Sequence, residues 1–175
     1  MLETGDNSSI LPKLSKPDEL AKDIRKDLEH RVRIGANWFY WIAGFSAVNT
    51  MSIHMGWNWQ FFLGLGLTLV VDAFAVAVGA AGGIVPLVID MAVVGMFVMF
   101  GWKGGQRSKK AFITGMIIYT LDAGLLLWFE DFRAAAFHGL ALYYIYKGLS
   151  ANNELLVLEK SDITSALSPS PIQPE

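Results

Sequence analysis

Long apolar stretches separated by short polar segments dominate the chain from residue 34 onward. A helix of about 20 residues rises ~1.5 Å per residue and crosses the ~30 Å hydrocarbon core of a bilayer. The pattern therefore predicts an all-α, polytopic integral membrane protein, a bundle of about five transmembrane helices. The predicted spans are residues 34–55, 59–80, 84–102, 111–129 and 134–150.

The polar segments at the two ends of the chain have different patterns. Residues 17–33, PDELAKDIRKDLEHRVR, have apolar residues four positions apart among charged ones, which predicts an N-terminal amphipathic helix. Residues 1–16 are polar and residues 151–175 end in the proline- and serine-rich SALSPSPIQPE, so both segments are predicted to be disordered. The five basic residues of the amphipathic helix are balanced by five acidic ones, which argues against nucleic acid as a partner and against strong attraction to anionic lipid.

Composition agrees with a membrane protein and excludes several kinds of chemistry. Of the 175 residues, 53% are hydrophobic and 17% are charged, and the charged residues crowd into residues 1–33, 102–110, 130–133 and the C-terminal tail. The mean hydropathy is +0.40. The chain has no cysteine, which excludes disulfides, thiolate metal sites, iron–sulfur clusters and cysteine nucleophiles.

The distribution of Lys and Arg leaves the orientation open. With five spans, the basic N-terminal segment and the basic loop 103–110 fall on opposite sides, so that eight Lys and Arg residues oppose six. This conflict disappears if one predicted span does not cross the bilayer. We expect the N-terminus to be cytoplasmic and the protein to reside in a bacterial inner membrane.

Four ionisable residues lie inside the predicted spans: Asp72, Asp90, Asp122 and His138. Counted from the span ends, all four lie ~7–11 Å deep in the same half of the bilayer. Ionisable groups inside membranes often mark ion or proton pathways, so this layer is the candidate ion or proton site. The alternative is structural, with each aspartate hydrogen-bonded to a polar group of a neighbouring helix and fixing the register of the bundle.

Helix polarity separates the three aspartates. Asp90 lies in the N-terminal half of its predicted span, where the helix dipole favours an anion, whereas Asp72 and Asp122 lie in C-terminal halves. We therefore expect Asp72 and Asp122 to be neutral more readily than Asp90 at neutral pH. Arg33, Arg133 and His138 are the candidate partners of Asp90.

Other intramembrane chemistry fits the sequence poorly. His54 and His138 lie toward opposite ends of the bundle, so one haem cannot take both as axial ligands. The sequences around Asp72 and Asp122 lack the GxGD motif of intramembrane aspartyl proteases, and no lysine occurs in the middle of a span to form a retinal Schiff base. No nucleophile and base recur at a recognisable spacing. We expect no enzymatic activity, no cofactor and no resident metal.

Two functions remain compatible with the sequence. The first is a non-enzymatic structural or accessory component of a membrane complex, acting through a membrane-protein partner or as a homo-oligomer in the lipid bilayer. The second is a small ion- or proton-coupled transporter or channel that uses the Asp and His layer. A chain of 19.3 kDa is small for a stand-alone transporter, which favours the first function.

Overall fold

A computed structural model of the chain describes residues 17–55, 65–79 and 83–167, and every regular element in these ranges is an α-helix. The prediction of an all-α protein is confirmed, whereas the predicted disorder of residues 1–16 lies outside the described residues. The helices are α1 (Pro17–His54), α2 (Gly66–Ala77), α3 (Ile84–Gly105), α4 (Lys109–Trp128) and α5 (Phe132–Leu167).

Helix α1 is one continuous helix of 38 residues, so the predicted amphipathic helix and the predicted first span form a single element. At their junction the sequence offers only Gly35 as a break. Helix α5 packs so closely there that a Cβ atom on Gly35 would lie 2.7 Å from the Cα atom of Gly148. This close backbone contact compensates for the low helix propensity of glycine. The helix therefore continues through the junction.

Helix α5 continues to Leu167, so the predicted disordered tail is wrong for residues 151–167. Leu155 is fully buried in the core, and Leu158 packs against the core three residues later. Residues at this spacing lie on one face of a helix, and the polar composition of the segment concealed that face. The proline- and serine-rich residues 168–175 lie outside the described residues.

The four long helices form an antiparallel bundle. Ala36 of α1 lies against Gly104 of α3, and the other halves of these helices meet where Thr50 donates to Asp90. Helix α5 runs antiparallel to both α1 and α4. Aromatic rings fill the centre, and neighbouring ring centroids lie 5.8 to 6.3 Å apart. These buried rings belong to Phe39, Phe97, Phe100, Phe112 and Tyr119.

Helix α2 is short and lies at the end of the bundle where α1 finishes and α3 starts. Its 12 residues rise only ~18 Å, less than the ~30 Å of a bilayer core. The N–H of Leu65, just before α2, donates to Ser46, about two turns inside the end of α1. Only a short connection then separates Ala77 from Ile84, the first residue of α3. The prediction of a second complete span is therefore not confirmed.

Within the residues that the structure describes, two helices have the length and composition of a membrane span, namely α3 and α4. The most apolar 18-residue windows of these helices have mean hydropathies of 2.3 and 1.6, yet only 28% and 33% of each window is buried. A core helix of a water-soluble protein would be mostly buried, whereas these two helices leave apolar side chains exposed. The five-span prediction is not confirmed, and two candidate spans are what length and composition support.

Positive charge is concentrated at the end of the bundle that holds the N-terminus of α1, the α3–α4 connection and the C-terminus of α5, which we call the basic end. Eleven of the twelve Lys and Arg residues that the structure describes lie there, and Arg133 lies at the opposite end. The two basic segments share one end because α2 does not carry the chain across the bundle. The eleven residues are Lys22, Arg25, Lys26, Arg31, Arg33, Lys103, Arg107, Lys109, Lys110, Lys147 and Lys160.

At the basic end, α1 and α5 extend past the α3–α4 connection as a helix pair, which we call the stalk (residues 17–33 and 151–167). Arg107 in the connection adopts a left-handed φ of 66°, and its carbonyl accepts a hydrogen bond from Asn152 Nδ2 at 3.0 Å. The guanidinium of Arg107 donates to both carboxylate oxygens of Glu159, at 2.7 and 3.0 Å. One residue of the connection thus holds the stalk through both its backbone and its side chain.

We expect the stalk to loosen in acid. Hydrogen bonds from Arg107 hold the pKa of Glu159 below its ordinary value. Because this pKa is lowered by folding, the pair stabilises the stalk above the ordinary carboxyl pKa of about 4.3, and the contribution is lost as the pH falls through the lowered value. Spin labels at Lys22→Cys and Ser165→Cys should give a narrow distance distribution at neutral pH and a broad one in acid. Adding Glu159→Gln should broaden the distribution at neutral pH; an unchanged acid response in that variant would contradict the prediction.

Candidate functional site

The carboxylate of Asp122 on α4 receives the N-terminus of α2 inside the bundle. Gly66 N–H donates to Oδ2 at 2.9 Å, and Leu67 N–H donates to Oδ1 at 2.8 Å. The first N–H groups of a helix lack intrahelical partners, and a side chain just before the helix commonly accepts from them. Leu65 occupies that position and supplies no such acceptor. Asp122, 56 residues further along the chain, therefore caps α2 from another helix.

His138 on α5 completes the site. Its Nε2 atom lies 2.8 Å from Asp122 Oδ2, and its Nδ1 atom lies 2.9 Å from the carbonyl oxygen of Ala134. A carbonyl oxygen only accepts, so Nδ1 carries a proton. The contact between Nε2 and Oδ2 needs one further proton between the two atoms. The geometry therefore fits one shared proton in the Asp122–His138 pair, which is buried on both sides.

Positive partial charges face the carboxylate of this pair. Two backbone N–H groups point at the carboxylate, and the positive end of the α2 dipole faces it. The expected protonation preference of Asp122 was based on the dipole of its own helix alone, and it stays a prediction. The nearer helix end is the N-terminus of α2, and its effect has the opposite sign.

Tyr119 forms the aromatic wall of the site. Its ring stacks on the imidazole of His138, with centroids 4.1 Å apart and an interplanar angle of 14°. Stacking of the tyrosine ring on the imidazole is favourable and fixes the plane of the histidine. The hydroxyl of Tyr119 is buried, and the structure gives it no hydrogen-bond partner. The site therefore contains one polar group that its described neighbours leave unsatisfied.

A groove of about 260 Å³ lies beside Asp122, between α2, α3 and α4. Apart from Asp122 its walls are apolar, so they provide few oxygen atoms for a hydrated cation. No three His, Asp or Glu side chains are grouped to hold a metal ion in the part of the chain that the structure describes. The lining residues are Leu65, Leu67, Val93, Phe97, Leu121 and Leu125, with Ile118 beside them.

Of the four candidate residues, Asp122 and His138 are in contact. Asp90 makes a different contact, and the side chain of Asp72 is not described. Asp90 is fully buried on α3 and accepts a hydrogen bond from Thr50 Oγ1 at 3.1 Å. The described contacts of Asp122 and His138 do not include Asp90, so the expected pairing of His138 with Asp90 is not found. Asp72 belongs to α2, but its side chain lies outside the described residues.

Sequence reasoning missed three residues of this region. Ser46 and Thr50 are one turn apart on α1, and they hold Leu65 and Asp90. Tyr119 precedes Asp122 by three residues and so shares its helix face. Helical spacing could have indicated Tyr119 as a neighbour of Asp122. Ser46 and Thr50 lie on a different helix from Leu65 and Asp90, so no spacing in the sequence relates them.

No protein-family model, curated protein or solved structure matches this chain. Its function is therefore inferred from its own contacts, burial and charge distribution.

Proposed function

We propose that this chain is a non-enzymatic accessory component of a membrane complex, in which α1, α3, α4 and α5 cross the bilayer. In this proposal α2 enters from the side opposite the basic end and returns to it. Irregular backbone at membrane depth requires internal hydrogen-bond partners, and Ser46 and Asp122 supply them to the start of α2. In this proposal the basic end and the stalk lie in the cytoplasm, because Lys and Arg concentrate on the cytoplasmic side of membrane proteins.

The buried polar groups support a structural role. Asp122 caps α2 and holds α5 through His138, so three helices meet at one carboxylate. Asp90 joins α3 to α1 through Thr50. Each of these contacts fixes the position of one helix against another, as polar residues do in packed transmembrane bundles.

The observation that carries the proposal is the exposed apolar surface of the stalk. Leu20 and Ile24 are 53% and 46% exposed, and Val157 and Ile163 are 67% and 61% exposed. These side chains lie beyond the ends of α3 and α4, where the proposal places water rather than lipid. An apolar surface in water is typical of a protein-interaction site.

The chemistry of the stalk defines the partner. A groove of about 430 Å³ between the two helices has apolar walls that include Ile24 and Leu158, and its rim carries Lys22, Arg25 and Asp162. An amphipathic helix fits such a groove, with its apolar side inward and charges of both signs at its edges. We therefore infer a helical segment of another membrane protein as the occupant.

The test is capture of that partner from native membranes with tagged variants of the full chain. Leu20→Ala with Ile24→Ala removes apolar area from the stalk and should lower the recovery of a stoichiometric partner by roughly tenfold or more. The matched control is Val85→Ala with Val88→Ala, which removes exposed apolar residues from α3 and should leave recovery unchanged. Equal recovery with both double variants, or recovery of further copies of this chain alone, would contradict the proposal.

The shared proton of Asp122 and His138 favours a second candidate, a proton-coupled transporter. Buried Asp and His pairs occur in proton relays, and the pair lies beside the groove between α2, α3 and α4. Proteoliposomes containing the protein distinguish the two functions. Under the accessory role, neither the unaltered protein nor Asp122→Asn raises proton flux above that of empty liposomes. A flux that Asp122→Asn abolishes in a folded protein would establish the transporter instead.

A further inference from the structure

A second groove at the basic end combines positive charge with an apolar wall. It has a volume of about 240 Å³ and is lined by Arg31 and Ile34 of α1 and by Tyr144 and Lys147 of α5. The close approach of Gly35 to Gly148 lies directly beside it and fixes the spacing of the two helices. Two cations from different helices thus lie at one site, beside a close backbone contact between these helices.

The positive charge of this groove is only partly neutralised. Arg31 contacts Asp27 one turn earlier on the same helix, with Nη2 and Oδ2 2.8 Å apart, and the other guanidinium N–H groups remain able to donate. The ammonium of Lys147 lies 5.1 Å from the ring centroid of Tyr143, and it forms no ion pair with any carboxylate that the structure describes. The balance of charges within residues 17–33 did not indicate this site, because Lys147 comes from α5.

An aromatic strip continues from the groove along α1 and α5. The rings of Trp38 and Tyr144 are stacked at 5.1 Å, and Phe137 lies 6.0 Å from Trp38. Phe45 then contacts Phe137 edge to face at 5.9 Å. The strip starts at the cations and runs toward the middle of the bundle, as one acyl chain would run below a headgroup.

The level of the groove matches a membrane surface. Ala36 packs against Gly104 near the end of α3, so Arg31 lies just beyond the apolar part of the bundle. At the same end Lys103 lies over the ring of Trp102, at 5.4 Å. Aromatic and basic residues together are typical of the lipid headgroup region.

We propose that this groove is a binding site for one anionic phospholipid. Its phosphate binds Arg31 and Lys147, and one acyl chain packs on the strip of Tyr144, Trp38 and Phe137. Arginine and lysine are both suited to phosphate, and the apolar wall distinguishes a lipid from a free phosphate ion. This inference rests on the proposed membrane placement, but it does not require a protein partner.

The experiment measures lipid binding to the full chain in neutral detergent, by native mass spectrometry with phosphatidylglycerol and with phosphatidylcholine of the same acyl chains. Phosphatidylglycerol should bind at least roughly tenfold more tightly than phosphatidylcholine. The double variant Arg31→Gln with Lys147→Gln should weaken phosphatidylglycerol binding by roughly 10- to 30-fold. Arg31→Lys with Lys147→Arg, which keeps both charges, should retain most of the binding.

The matched control is Lys109→Gln with Lys110→Gln, which removes two exposed charges at the same end but outside the groove. It should change binding by less than about threefold. An equal loss in this control would overturn the proposal, because it would show a diffuse charge effect. Displacement of the lipid by millimolar inorganic phosphate would overturn it in favour of a phosphate site. Partner capture through the stalk is measured in a separate experiment. A failure of lipid binding can therefore be distinguished from a failure of the accessory role.

Discussion

Asp122→Leu should destabilise the bundle by roughly 3–5 kcal/mol, because it removes a carboxylate that α2 and α5 both contact. The change removes the acceptor of Gly66 N–H and Leu67 N–H and the partner of His138 Nε2, and the contacts to Gly66 and His138 are buried. Asp122→Asn should cost less, about 1–3 kcal/mol. Its amide can accept from Leu67 and donate to a neutral His138, but the same amide nitrogen then faces the N–H of Gly66.

Unfolding in detergent, followed by circular dichroism against denaturant concentration, measures these free energies. Detachment of α2 can be measured separately by labelling one introduced cysteine, because the chain contains no natural cysteine. Ala75→Cys places a thiol at a buried position of α2, and its maleimide labelling should be slow in the otherwise unaltered protein and fast with Asp122→Leu. Glu130→Gln, a carboxylate exposed at the end of α4, is the control and should change neither quantity. Slow labelling and unchanged stability in Asp122→Leu would show that Asp122 does not anchor α2.

Gly35→Ala and Gly148→Ala should each destabilise the protein by roughly 1–3 kcal/mol, because the added methyl group meets backbone rather than a movable side chain. A Cβ on Gly35 would lie 2.7 Å from Gly148 Cα, and a Cβ on Gly148 would lie 2.8 Å from Gly35 Cα. Both substitutions force the same two helices apart. The double variant should therefore lose less stability than the sum of the two single losses.

Two glycines of the same helices provide the matched controls. A Cβ on Gly44 of α1 or on Gly139 of α5 would meet nothing within 4 Å. Alanine at these positions should be neutral or should stabilise the helix by up to about 1 kcal/mol, since alanine has the higher helix propensity. The unfolding free energies of all four single variants show whether the loss is confined to the two closely packed glycines. Equal losses at all four positions would mean that glycine matters through helix flexibility rather than through close packing.

The apolar stretches predicted the helical class but not which stretches cross the bundle. Residues 59–80 have the length of a span, yet the described helix within them begins only at Gly66. A Cβ at this glycine would lie 2.9 Å from the side chain of Leu126, and the Gly66 N–H donates to Asp122, so the start of this helix is in tertiary contact with α4. Hydropathy averages over a window and does not register such a contact. The prediction of a disordered tail was wrong for a similar reason, because Leu155 becomes a core residue only in the folded bundle.

The candidate site was predictable in part. Counting helical rises from the span ends placed Asp122 and His138 at a similar depth, and the two side chains do meet. The same count could not find the N-terminus of α2 as the third member, because that contact joins residues 56 positions apart through an irregular segment. It did not indicate Thr50, which donates to Asp90 across the α1–α3 contact. The depth of a residue follows from its position within its own span, whereas the direction of its side chain depends on packing against other helices.

The cap on α2 imposes an order of events during biosynthesis. Helix α2 leaves the ribosome before α4, so its first N–H groups have no carboxylate to bind until Asp122 has been synthesised and inserted. His138, which shares the proton of that carboxylate, arrives later still. In the proposed membrane placement a helix start without hydrogen-bond acceptors is costly, so we expect α2 to settle in the bundle only after its downstream helices are in place. A nascent chain that ends before α4 should therefore leave α2 accessible from the membrane surface.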